Sequence, residues 1–126
     1  DLALAQLDTS DRLANQNADI HFQAYNAQMR GSILQQKGNP SLAEDAYKSA
    51  LKLYGIIRCP IGLTVTHIDM SKLFVVQGKQ SLANEHIVQA QALIAEHKLH
   101  TLTEMLAPGE VEKNKNSHAD QRFNNF

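Results

Sequence analysis

The sequence predicts an all-α protein made of antiparallel helix pairs stacked side by side. Three observations predict it. One segment recurs at a fixed offset, apolar residues fall at three- and four-residue steps, and glycine or proline punctuates the chain between those runs. Gly38-Asn39-Pro40-Ser41-Leu42-Ala43 returns 40 residues later as Gly78-Lys79-Gln80-Ser81-Leu82-Ala83. The same offset pairs Leu34 with Phe74, Tyr47 with Ile87, Ala50 with Ala90 and Leu53 with Leu93. One step back, Ala43 falls on Ala3, Leu42 on Leu2, Tyr47 on Leu7 and Leu53 on Leu13. Residues 1–40, 41–80 and 81 onward therefore read as copies of one unit, and period-2 alternation, the mark of strands, is absent.

Five helices follow in order. The first spans about 2–16, with Asp1 in the capping place. The second spans about 18–37. Asn17 is positioned to cap it, Gly38 to end it, and Pro40 lies just beyond. The third spans about 41–57. Ser41 reads as its N-cap, with Glu44 completing a capping box. Leu42, Ala46, Ala50, Leu53 and Tyr54, together with Ala43, Tyr47 and Leu51, give it an apolar face. The fourth spans about 60–77, from Pro60, whose missing amide proton costs nothing in a first turn, to the stop at Gly78. The fifth spans about 81–98, opened by Ser81, and a short turn over 100–106 follows. Residues 1–107 form the repeat domain. From Pro108 the chain turns polar, and 108–126 read as a linker or disordered tail in which Phe123 and Phe126 are the apolar exceptions.

Composition narrows the function classes. A net charge of −1, with acids and bases intermixed, carries no electrostatic footprint for nucleic acid. No run approaches the roughly 18 apolar residues of a membrane helix. Cys59, the single cysteine, cannot form an intrachain disulfide and reads as an inter-helix loop residue of a reduced, cytoplasmic protein. His97 and His100, with Glu96 and Glu104 near them, fall short of the three or four convergent ligands a metal needs, so no metal or other cofactor is expected. His67 lies on the buried stripe Leu63, His67, Met70, Phe74 and reads as a hydrogen-bonded core histidine, whereas His21 and His86 read as surface residues. Phosphate loops, nucleophile elbows and zinc-protease signatures are missing, and an enzyme is not expected.

The spacing inside the unit resembles a known repeat. One copy reads Gly31-x2-Leu34, then Gly38, then Ala43-x3-Tyr47-x2-Ala50; the next reads Ser71-x2-Phe74, Gly78 and Ala83-x3-Ile87-x2-Ala90. This is similar to the tetratricopeptide repeat, in which small residues let two helices cross closely and large ones fill the space between them. The resemblance covers about residues 1–99, with departures. The period is 40 rather than about 34, Ala27 and His67 stand where the family has tryptophan, and Arg30 stands where it has leucine.

The resemblance implies an α-solenoid whose first helices line a concave groove for a peptide or helix of another protein. The matching groove positions are Tyr25, Gln28, Ser32 and Gln35 on one helix and Val65, Ile68, Lys72 and Val75 on the next. That gives a polar, amide-rich half and an apolar half with one cation, suited to an amphipathic segment. The other reading of Val65, Ile68 and Val75 is packing against a neighbouring repeat. Gln28, Met29, Ser32, Asp69 and Lys72 do not make the cationic clamp with which some family members hold a carboxyl terminus. The chain reads as starting mid-unit, so helix 2–16 is expected to expose Leu4, Leu7 or Leu13 and to self-associate as a homodimer. The functional expectation is a protein-interaction module. The alternative is a sensory or oligomerisation part of a larger bacterial transcriptional regulator, holding a small effector or signalling peptide.

Overall fold

The computed structural model describes residues 1–106. It contains helices α1 (Leu2–Gln16), α2 (Ile20–Gln36), α3 (Pro40–Ile56), α4 (Pro60–Val76) and α5 (Gln80–His97), and a 3-10 turn over His100–Met105. No strand occurs among the described residues. The fold is all-α, as the sequence predicts. The polar stretch expected over 108–126 lies outside the described residues. Linkers of three residues join successive α-helices, which makes neighbours antiparallel.

Every helix ends in the same way. The amides of Asp19, Asn39, Cys59, Lys79 and Leu99 each donate to the carbonyl five residues earlier, on Ala14, Leu34, Tyr54, Phe74 and Ile94, at 2.8–3.0 Å. The residue before each donor is left-handed: Ala18, Gly38, Arg58, Gly78 and Lys98 have φ between +51° and +80°. This is the Schellman closure, which satisfies carbonyls that the last turn would otherwise leave unpaired. The backbone thus repeats every 20 residues, half the period seen in the sequence. The five acceptor residues are all buried, so each turn is anchored directly in the core.

This closure corrects three capping expectations. It delivers the chain to Asn39, so α3 begins at Pro40 and Ser41 falls exposed inside its first turn. Glu44 is then free to pair with Lys48 at 2.7 Å. Ser81 is likewise displaced, because Lys79 takes the N-cap place of α5. Asn17 ends α1 rather than opening α2, and the Asp19 carboxylate accepts from the Phe22 amide at 3.2 Å. At the start of α4 the Cys59 sulfur fills the same role for the Gly62 amide, at 3.4 Å.

Close approach of helices rests on residues without bulk. Ala43, Ala50, Ala83 and Ala90 are fully buried at equivalent places in α3 and α5. A Cβ on Gly31 would lie 2.6 Å from the buried Tyr47 ring, and one on Gly62 would collide with the ring of Tyr54. Helix α4 is the most enclosed: Ile68, Met70, Leu73 and Phe74 are buried on it, with Thr64, Thr66 and Ser71. Those three hydroxyls donate back to the carbonyls of Pro60, Gly62 and Ile68 at 2.6–2.8 Å, which removes the penalty for burying them. Leu99, Leu102, Met105 and Leu106 cover the far end of the α4–α5 core.

The α1–α2 seam is polar by comparison. Arg30 bonds Asp8 and Asp11 at 2.8 Å each, Asn26 donates to the Ser10 hydroxyl at 2.8 Å, and Lys37 pairs with Asp1. Arg30 therefore serves as the ion-pair anchor of this seam. Leu4 and Leu7 are half-buried, and Leu13 remains 51% exposed.

Helix α2 touches α4 as well as its sequence neighbours, whereas α1 and α3, and α3 and α5, stay apart. The stack consequently bends with α2 and α4 on its inner side. We expect Gly31→Ala and Gly62→Ala each to cost about 1–3 kcal/mol through overpacking against a buried ring. Urea unfolding should show a lower midpoint with an unchanged slope.

Candidate functional site

On the inner side, between α2 and α4, lies a cleft of about 370 Å³. Ser32, Gln35 and Gln36 form one wall, Asp69, Lys72 and Val76 the other, and Tyr47 of α3 closes the floor. The spacings, i, i+3, i+4 in the first set and i, i+3, i+7 in the second, place each on one face of its helix. Tyr47 and Tyr54 bury their rings behind the cleft and send their hydroxyls forward. Tyr47 donates to Gln35 Oε1 at 3.0 Å, and Tyr54 donates to Gln28 Oε1 at 2.7 Å. Burial pushes the Tyr47 hydroxyl well above the usual phenol range, and the nearby Asp69 charge adds to this. Burial pushes Tyr54 up to about 12. Both phenols are donors at any physiological pH, which fixes the amide orientation of their glutamine partners.

Asp69 is the unusual member. It is half-buried, and burial raises its pKa; the charge of Lys72 and a hydrogen bond from the Gln28 amide work in the opposite direction. No ion pair holds the carboxylate within 4 Å among the described residues. The bond from Tyr54 on α3 to Gln28 on α2 ties these two helices together beside the cleft.

The structure brings some of the expected groove residues together and separates others. Ser32, Gln35 and Lys72 line the cleft, and Gln28 belongs to its supporting network. Tyr25, 52% exposed, and the half-buried Val65 lie outside the cleft lining. Val75 is also exposed but not in the lining, and Val76, at 80% exposed, supplies the apolar edge instead. Ile68 is corrected outright. It is fully buried with Ile87, Ala90 and Ile94 of α5, so it cannot meet a ligand. The expected apolar half of the groove is therefore a mixed wall of acid, cation and valine. Asp69, Gln36, Tyr47 and Val76 were not among the expected groove positions. The signal available for Asp69 was its i, i+3 spacing from Lys72.

Among the described residues, no group of three or more histidine, cysteine or carboxylate side chains could hold a metal ion, and no helix is long and apolar enough to cross a membrane. The cleft offers donors, acceptors and one unpaired acid, but no nucleophile held against a base.

The raised pKa of Asp69 sets the sign of a stability effect. Its folded pKa lies above its unfolded one, so its contribution is most favourable below the unfolded pKa and is lost as pH rises through the folded value. We expect Asp69→Asn to be more stable than the parent at pH 7, with the advantage vanishing near pH 3, as read by urea unfolding at both. Tyr54→Phe should cost about 1 kcal/mol at pH 7 by removing the bond to Gln28.

Comparison of the chain with known protein families, with curated proteins and with solved structures finds no match.

Proposed function

We propose that this chain is a tetratricopeptide-like protein-interaction module that receives an extended peptide segment of another protein in the cleft between α2 and α4. The observation that supports this most is Asp69. A half-buried carboxylate without an ion-pair partner works against stability at neutral pH, and a residue of that kind at the mouth of a cleft is better accounted for by binding than by folding. Gln35, Gln36 and Ser32 present donors and acceptors suited to a peptide main chain, whose amides and carbonyls alternate. Asp69 accepts an N–H or a cationic side chain, Lys72 meets a carbonyl or a carboxylate, and Val76 gives an apolar side chain a place to rest. Such a site orders its ligand mainly by hydrogen bonds along a preformed surface, so its affinity is set by how little either side must rearrange.

Selection of a displayed library of unstructured peptides against the whole chain tests this reading. Selected peptides should lose at least about tenfold in affinity, roughly 1.4 kcal/mol, on Gln35→Arg with Lys72→Glu. They should be unaffected by Lys52→Glu on the exposed side of α3. Peptides that bind the cleft variant as well as the parent, or a library from which no peptide is enriched, would sink the reading.

A further inference from the structure

The cleft makes no use of a second polar pair, on the other side of α4. His67 on α4 and His86 on α5 face each other with their Nδ1 atoms 2.9 Å apart, and His86 stacks on Phe74 with ring centroids at 5.4 Å. Two imidazole nitrogens at that distance form a hydrogen bond only when one carries a proton and the other offers a lone pair. A pair with both nitrogens protonated turns two N–H groups against each other.

The repeat shows that the fold does not require this pair. Stepping back 40 residues puts His67 on Ala27 and His86 on Ala46. In that copy the two alanines line an open furrow of about 250 Å³, together with Asp11, Asn15 and Gln23. The helices close there without any ring at those positions. The α4–α5 pair therefore places titratable groups where the α2–α3 pair accepts methyl groups.

We propose that His67 and His86 form a one-proton latch between α4 and α5, closed while a single proton lies between the two Nδ1 atoms and released when each Nδ1 carries its own. The surroundings do little to hold a second proton. Glu44 and Lys48 approach from α3 and Glu85 from α5, but Glu44 is engaged by Lys48, and none of the three bonds either ring. Burial, followed by the charge of His86, lowers His67 to about 4. Burial lowers His86 as well, against the pull of Glu85 and Glu44. Because both folded pKa values lie below that of a free histidine, near 6.5, the closed seam is favoured above that pH. It weakens as pH falls from there toward 4. Release would loosen α5 and the following 3-10 turn from α4, the helix that also forms one wall of the cleft.

Nitrogen NMR of the histidine side chains in the whole chain, from pH 7.5 to 4.5 with and without a chelator, tests the pairing. The latch requires opposite Nδ1 roles in the two rings at pH 7, and titration of both below 6.5, regardless of chelator. Amide exchange, corrected for intrinsic rates, should show α5 opening rise about tenfold or more between pH 7 and 5 while α2 does not. His67→Ala with His86→Ala, the combination found between α2 and α3, should remove that difference. Independent titration of the two rings near 6.5, a chelator-dependent response, or an α5 response that survives in the double alanine variant would overturn the latch. If that variant fails to fold, the titration of the parent chain decides alone.

Discussion

Much of the architecture depends on how a helix is made to stop. A left-handed residue followed by an amide bonded five residues back turns the chain through a tight corner and starts the next helix within three residues. Because the accepting carbonyl always belongs to a buried residue, a shift of one helix along its axis would break its turn and its packing together. Identical corners every 20 residues produce helices of nearly equal length and let α2 and α4 lie side by side. Two of the corners use glycine. Ala18, Arg58 and Lys98 hold the same geometry against the steric cost of a Cβ, which indicates that surrounding packing, not local preference, imposes it there.

The cleft is a by-product of that regularity. Tyrosines that fill the space behind α2 and α4 have their hydroxyls left over at the inner surface, and glutamines accept them. Rigid side chains buried at one end thus pre-orient flexible amides at the other. This arrangement reduces the entropy a ligand must overcome in ordering its site. The same packing leaves Asp69 partly desolvated, so the polar character of the inner surface and its energetic cost have one origin.

Most of the fold was legible because two independent signals agreed. The apolar periodicity placed the helices, and the 40-residue recurrence supported their order, so expected and observed boundaries differ by no more than two residues. The caps were not legible. Ser41 with Glu44 has the composition of a capping box, but a corner closed at Gly38 starts the helix before Ser41 is reached. On α2 the amide-rich face was readable from Gln28, Ser32 and Gln35, which recur at three- and four-residue steps. On α4 it was not. That helix carries apolar residues on nearly every side, so hydropathy alone gave no rotational phase, and Ile68 could not be told from Val65 or Val75. His86 reads as a surface residue in the sequence because its partner is 19 positions away on another helix. Pairing of that kind is invisible to any pattern within one element.

The seam between α1 and α2 differs in character from the rest of the stack. It contributes one buried alanine, two aspartates gripping an arginine, and an asparagine bound to a serine. Attraction of that sort is shielded by dissolved ions, whereas contact between alkyl groups is not. The first helix is therefore fastened by charge as well as by the half-buried Leu4 and Leu7. Raising ionic strength weakens this seam more than the others, which makes this end of the stack the one most sensitive to salt.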